Sequence, residues 1–250
     1  MTTTVGQPQG SLRSATRRLL VTVRDASTGA YRPVGFLSHA NGRYSFAYLR
    51  RELQQPEFRP LPGLTRAVAA PIEADTLFPL FAERVISSRR PDREVSLTAL
   101  GLPLDAAPME VLARSHGQRV GDTIELLPAP EASAGQTVQF TFLTHGVRYL
   151  APSEQDKIAM LQHGDPLRLV EDSQNPANPR ALLVTASDGI RLGWVPDPLI
   201  DIINTIENPY LRVERANKPD VGYHFRLLVR LAGVVRESKG LFSGPDWETN

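Results

Sequence analysis

The chain has 250 residues, 41% hydrophobic and 22% charged, with a formal net charge of +1 and no cysteine. That length has room for one large or two ordinary domains, each able to bury its own core. The composition excludes disulfides and thiolate metal sites, fits a reducing compartment, and provides no global attraction to nucleic acid.

Residues 1–16 are rich in Thr, Gly, Gln and Ser without apolar periodicity, and read as a disordered leader. The apolar run Leu19 to Val23 lies between Arg18 and Arg24. It is too short for a signal-peptide core or a membrane span, so the default is cytoplasmic with no membrane partner. It reads instead as a strand. A second strand follows around Val34 to Leu37, then an Asn41-Gly42 hairpin turn and the alternating strand Tyr44 to Tyr48. Asp75 is the expected N-cap of a helix carrying Leu77, Phe78, Leu80, Phe81 and Val85 on one stripe. Two further short helices are expected at Glu94 to Leu100, ending at Gly101, and at Met109 to Arg114, stopping at Gly117. The strand Thr123 to Leu127 closes this half. Residues 129–136 have linker composition, small and proline-containing without a large hydrophobe.

In the second half, strands are expected at Thr137 to Leu143, near 167–171, 181–186 and 190–194, at Leu211 to Glu214 and at His224 to Val235. Helices are expected at Pro152 to Leu161 and Pro198 to Ile206, and residues 237–250 read as a frayed tail on which Trp247 alone has reason to dock. The fold class is therefore α+β in two domains. Residues 17–128 form a mixed sheet with three short helices, and residues 137–236 form a small β-barrel with two helices. The charge is split between them. Residues 1–130 carry 16 arginines against 12 acids, whereas residues 131–250 carry 12 Lys and Arg against 15 acids. A broad electrostatic clamp on duplex DNA is not expected of the mildly acidic second half, whereas a small pocket for one strand end is compatible with it.

The sequence carries no catalytic motif. None of Lys157, Lys218 and Lys239 stands in a phosphate-binding loop, and no serine sits in a Gly-x-Ser-x-Gly elbow. His39, His116, His145, His163 and His224 show no metal-binding helical spacing, so no metal or other cofactor is expected. Glu171 and Asp172 are neighbours on a strand end and point to opposite faces, which suits solvated turn acids better than an acid/base pair.

Two family resemblances organise these elements. Val34-Gly35-Phe36-Leu37, Asn41-Gly42, Phe46-Ala47-Tyr48, Leu77-Phe78-Pro79-Leu80-Phe81 and Pro108-Met109-Glu110-Val111-Leu112 with Val120-Gly121 resemble, in order over residues 19–128, the N-terminal subdomain of HipA-type kinases. In those enzymes a catalytic lobe follows. Here the following segment, over residues 139–236, resembles a HIRAN domain, a β-rich binder of single-stranded DNA ends. That resemblance rests on Val147-Arg148-Tyr149, Asn175-Pro176, Asp188-Gly189 and Leu192-Gly193-Trp194-Val195-Pro196.

The pairing implies a non-catalytic, bacterial, antitoxin-like or adaptor protein docking a HipA-like kinase. The alternative is a single-stranded DNA 3′-end-binding factor in repair or phage defence. By resemblance, Arg148 and Tyr149 are a phosphate clamp and stacking platform on the first strand of the module, and Asn175 opens the turn that holds the terminal nucleotide. Ala177, Asn178 and Arg180 stand where the family has an aromatic, an acid and a second asparagine. Trp194 is the candidate replacement ring, with ordinary core packing as its other role. Arg168, Arg180 and Arg191 are candidates for a basic rim. Phe36, Tyr44, Phe46 and Tyr48 are candidates for an aromatic partner-binding face.

Overall fold

The chain builds an α+β structure from two antiparallel sheets. The computed structural model describes residues 18–25, 28–119, 121, 123–236 and 240–250. The expected leader, and Val120 and Asp122, lie outside the described residues. In the first half, β1 (Arg18–Arg24) pairs with β2 (Tyr31–Ala40), and β2 pairs through the Asn41-Gly42 turn with β3 (Arg43–Tyr48). After α1 (Arg50–Leu53), the short β4 (Ile72–Ala74) adds to β3. Three helices, α2 (Pro79–Ala82), α3 (Arg93–Ala99) and α4 (Pro108–Ser115), precede β5 (Ile124–Pro128), which returns along β1 to give the order β4-β3-β2-β1-β5.

In the second half, β6 (Thr137–Leu143) is followed by α5 (Pro152–Met160), β7 (Pro166–Glu171), β8 (Leu182–Ala186) and β9 (Arg191–Trp194). Then come α6 (Asp197–Ile203), β10 (Ile206–Ala216) and β11 (Leu227–Val235), in a sheet ordered β6-β11-β10-β7-β8-β9 that curls into a half-barrel. The segment that leaves β6 meets the other edge strand, β9, at one point, where His145 and Trp194 exchange backbone hydrogen bonds of 2.8 and 3.0 Å. Gly193, at φ 124°, permits this closure, because a Cβ there would lie 2.7 Å from the His145 carbonyl oxygen.

The first sheet is covered on both faces. Leu19 and Val21 pack with Phe46, Tyr48, Phe81 and Leu112 on the helix side. Leu20, between them, packs with Phe36, Leu49 and Leu127 against Val138, Phe140, Ile203 and Leu231 of the second half. Successive strand side chains point to opposite faces, so a strand buried on both sides reads as a continuous apolar run, as at Leu19, Leu20 and Val21.

Several expectations are corrected. The helix expected from Asp75 is only the single turn α2. Pro79 forces Phe78 into extended backbone (φ −54°, ψ 138°), so the helix starts at the proline, and Asp75 instead pairs with Arg43 at 3.3 Å. Val147-Arg148-Tyr149 is a 3-10 turn rather than a strand, because Gly146 in the left-handed conformation turns the chain off the line of β6. Ile206, expected in the helix α6, opens β10.

The tail is docked over its described part. Leu241 and Phe242 are buried, the Phe242 ring meets Phe36 and Trp247, and Leu49 and Thr249 form a β-bridge. Within residues 129–136, the Ala129 N–H bonds the Arg18 carbonyl at 3.1 Å and the Ala132 carbonyl accepts from the Leu241 N–H at 3.0 Å, while 133–136 are exposed.

The aromatic face expected for a partner is core. Phe36, Phe46 and Tyr48 are buried, and Tyr48 Oη accepts the Leu61 N–H at 2.7 Å. Tyr44 is half-buried, its ring 4.3 Å from that of His39. A sheet sandwiched between helices and a second sheet has no free face on which to present them.

Candidate nucleic-acid interface and its buried support

The exposed end of the half-barrel is shaped by the turn that leaves β6. Val147 and Leu150 are anchored in the core, and the N–H of Tyr149 bonds the Gly146 carbonyl at 2.9 Å. The two residues between these anchors are thereby turned outward. Tyr149 is 70% exposed. The Arg148 guanidinium lies 4.6 Å from the centre of the Tyr149 ring and donates to its hydroxyl. Among the described residues, no carboxylate lies within ion-pair distance of Arg148. An exposed ring with an unneutralised guanidinium is the pair of groups that a base and a phosphate call for.

The other candidates are committed elsewhere. Trp194 is half-buried beneath the turn, and its indole N–H donates to Asp172 at 2.8 Å. Its ring lies so close to Gly146 that a Cβ on that glycine would fall 2.5 Å from Cε3, so Trp194 is a support and not a stacking face. Asn175 spends its amide oxygen on the backbone N–H groups of Ala177 and Asn178, at 3.0 and 3.3 Å, and its amide nitrogen on Asp172. Asn178 donates to Asp197 at 2.9 Å. This polar set locks the Asn-Pro turn.

Arg180 is paired with Asp201, and Arg191 holds Glu154 through two bonds of 2.6 and 3.1 Å. Their charges are largely cancelled, so of the expected rim of Arg168, Arg180 and Arg191 only the exposed Arg168 has no ion pair among the described residues. A nearby cleft of about 390 Å³ is lined by Tyr31, Arg51, Asp197, Asp201, Asp246 and Trp247 among others. Three aspartates against one arginine make it a poor place for a phosphate.

Beneath the turn lies a network absent from the sequence reading. Glu125 Oε1 accepts from His116 Nδ1 at 2.7 Å, His145 Nε2 at 2.8 Å and Gln118 Nε2 at 3.2 Å. The other carboxylate oxygen, Oε2, is buried with no hydrogen-bond partner. His116 follows α4 in the left-handed conformation, φ 55°, and its Nε2 accepts the Leu143 N–H at 3.1 Å.

Burial alone would raise the Glu125 carboxyl, but His145 and His116 outweigh it and hold it well below the usual carboxylate range. Burial works against the charged form of His145, but Glu125 and Asp197 outweigh burial and Arg24, so its pKa is raised. Burial leads for His116, whose pKa is lowered despite Glu125. The surroundings thus favour the carboxylate form of Glu125, the charged form of His145 and the neutral form of His116. Tyr31, whose ring centre is 5.7 Å from that of His145, is pushed up to about 12 by burial and then by Glu125.

One ligand-type atom from each of His116, Glu125 and His145 lies within 4.8 Å of the others, which makes the metal question concrete. The Leu143 N–H answers it. A lone pair on His116 Nε2 places the proton on Nδ1, the atom that would have to face the cation. The network is therefore wired for protons. The sequence signal for it was faint: Glu125 is a lone acid in the apolar strand Ile124–Pro128, and a buried acid needs partners that spacing does not reveal.

No family model matches the chain, and no curated protein matches it. Two solved structures align with part of it. One is a Lactobacillus plantarum protein, structural genomics target LpR91B, at 18% identity and TM-score 0.32, covering 39% of this chain and 97% of the other. The other is the HIRAN domain of human HLTF, at 16% identity and TM-score 0.29, covering 42% of this chain and 81% of that domain.

Proposed function

We propose that the chain is a non-catalytic binding protein that takes single-stranded DNA at or near a free end, with Tyr149 stacking a base and Arg148 meeting the adjoining phosphate. The observation that carries this reading is the Arg148–Tyr149 pair, exposed on an anchored turn and free of any carboxylate partner among the described residues. The interface is small. One stacked base contributes on the order of 1–3 kcal/mol, and few phosphates are in reach, so affinity is modest and weakly salt-dependent. A docking role toward a HipA-like kinase through the first-half aromatics draws no support from their burial.

The test is fluorescence anisotropy with labelled oligothymidine carrying a free or a blocked 3′ end. Tyr149→Ala is expected to weaken binding roughly 10- to 100-fold and to remove any preference for the free end. Equal binding by Tyr149→Ala and the unmodified protein rejects the proposal.

A further inference from the structure

We infer that Glu125, in the first half of the chain, is a positioning residue for the Arg148–Tyr149 turn of the second half, so that the two halves form one binding unit. The inference rests on the reading of that turn as the DNA contact. Its basis is the placement of His145, the residue immediately before Gly146. The backbone of His145 is fixed to Trp194 by two hydrogen bonds and its side chain to Glu125 by a third. Gly146 sits on the Trp194 ring, and Val147 is in the core. A shift of His145 is therefore passed to the turn, and among the described residues the side-chain hydrogen bond that holds His145 reaches across to Glu125 on β5.

The charged and titratable groups facing His145 are Glu125 from β5, His116 from the end of α4, Asp197 from α6, Arg24 from β1 and Tyr31 from β2. Glu125 is the group in direct contact, its Oε1 lying 2.8 Å from His145 Nε2. The same contact accounts for a buried carboxylate in an apolar strand that spends three hydrogen bonds on a single oxygen.

A merely structural glutamate and a positioning one are separated by the conservative variant. Glu125→Leu removes the acceptor and is expected to weaken oligothymidine binding at least tenfold in the folded full chain. Glu125→Gln keeps an amide oxygen for both imidazoles and is expected to recover binding to within about threefold. In that variant the His145 pKa, followed by NMR of its ring protons, should fall.

Folded Glu125→Leu with undiminished affinity overturns the inference. Should Glu125→Leu not fold, His145→Leu decides, because it removes the imidazole that ties the turn to Glu125. It is expected to weaken oligothymidine binding at least tenfold, and undiminished affinity in the folded variant overturns the inference. The two readings fail separately. Unchanged binding by Tyr149→Ala rejects the DNA contact itself, whereas loss with Tyr149→Ala and none with folded Glu125→Leu rejects the positioning role alone.

Discussion

Replacing Gly146 by alanine tests whether the turn is held as described. Gly146 has φ 74°, and a Cβ there would stand 2.5 Å from Cε3 and 2.8 Å from Cζ3 of Trp194. The left-handed backbone alone costs an alanine about 1–2 kcal/mol. The contact adds to this, because the indole cannot retreat while its N–H stays 2.8 Å from Asp172. Losing a hydrogen bond to a charged acceptor costs about 1.5–3 kcal/mol. The expected loss of stability is therefore about 2.5–5 kcal/mol.

Gly189 supplies the control. It has φ 87° with nothing within 4 Å of an added Cβ, so Gly189→Ala should lose only the backbone share, about 1–2 kcal/mol. Urea unfolding of both variants, followed by far-ultraviolet circular dichroism, gives the difference directly. If Gly146→Ala is no less stable than Gly189→Ala, the packing of Trp194 under the turn is wrong. The account of how Tyr149 is presented then falls with it.

Three further outcomes are expected. Burial raises the Glu214 carboxyl, but Arg114 and then Arg230 outweigh it and hold its pKa below the usual range, with Arg114 reaching across from the first half at 3.0 Å. A depressed folded-state pKa stabilises above the unfolded-chain carboxylate value and ceases to as pH falls through the folded value. Glu214→Gln should therefore flatten the decline of the melting temperature between neutral pH and acid, and an unchanged acid limb would refute this. Phe242→Ala should cost about 3–5 kcal/mol in chemical denaturation, since a 6% exposed ring between Phe36 and Trp247 is lost; a cost below about 1 kcal/mol would mean the tail is not docked. Arg148→Ala should lower the slope of log affinity against log salt by about 0.7, whereas Arg180→Ala, already neutralised by Asp201, should leave it nearly unchanged.

Much of the local structure was written in short stretches of sequence. The hairpin at Asn41-Gly42, the turn at Asp188-Gly189, the helices at Arg93–Ala99, Pro108–Ser115 and Pro152–Met160, and the alternation of Thr137–Leu143 all depend on neighbours a few residues apart. Where the reading failed, a competing local rule or a distant contact decided. Pro79 overrode the apolar stripe from Leu77 to Val85, and Gly146 overrode the strand expected at Arg148. The tail looked frayed because its partners, Phe36, Tyr48 and Leu49, lie some 200 positions upstream.

The candidate site divides along the same line. The family resemblance seen in the sequence picked out Arg148 and Tyr149 and grouped them with Trp194, Asn175 and Arg180 as candidates. Only the tertiary structure separated their roles. Exposure left Tyr149 free and buried Phe36, Phe46 and Tyr48, ion pairing cancelled Arg180 and Arg191 and left Arg148 unbalanced, and hydrogen bonding turned Trp194 and Asn175 into scaffolding. It also assembled His116, Glu125 and His145, whose spacing resembles no motif. Backbone propensity acts over a few residues, whereas burial and charge balance are set by whatever segments the fold brings together.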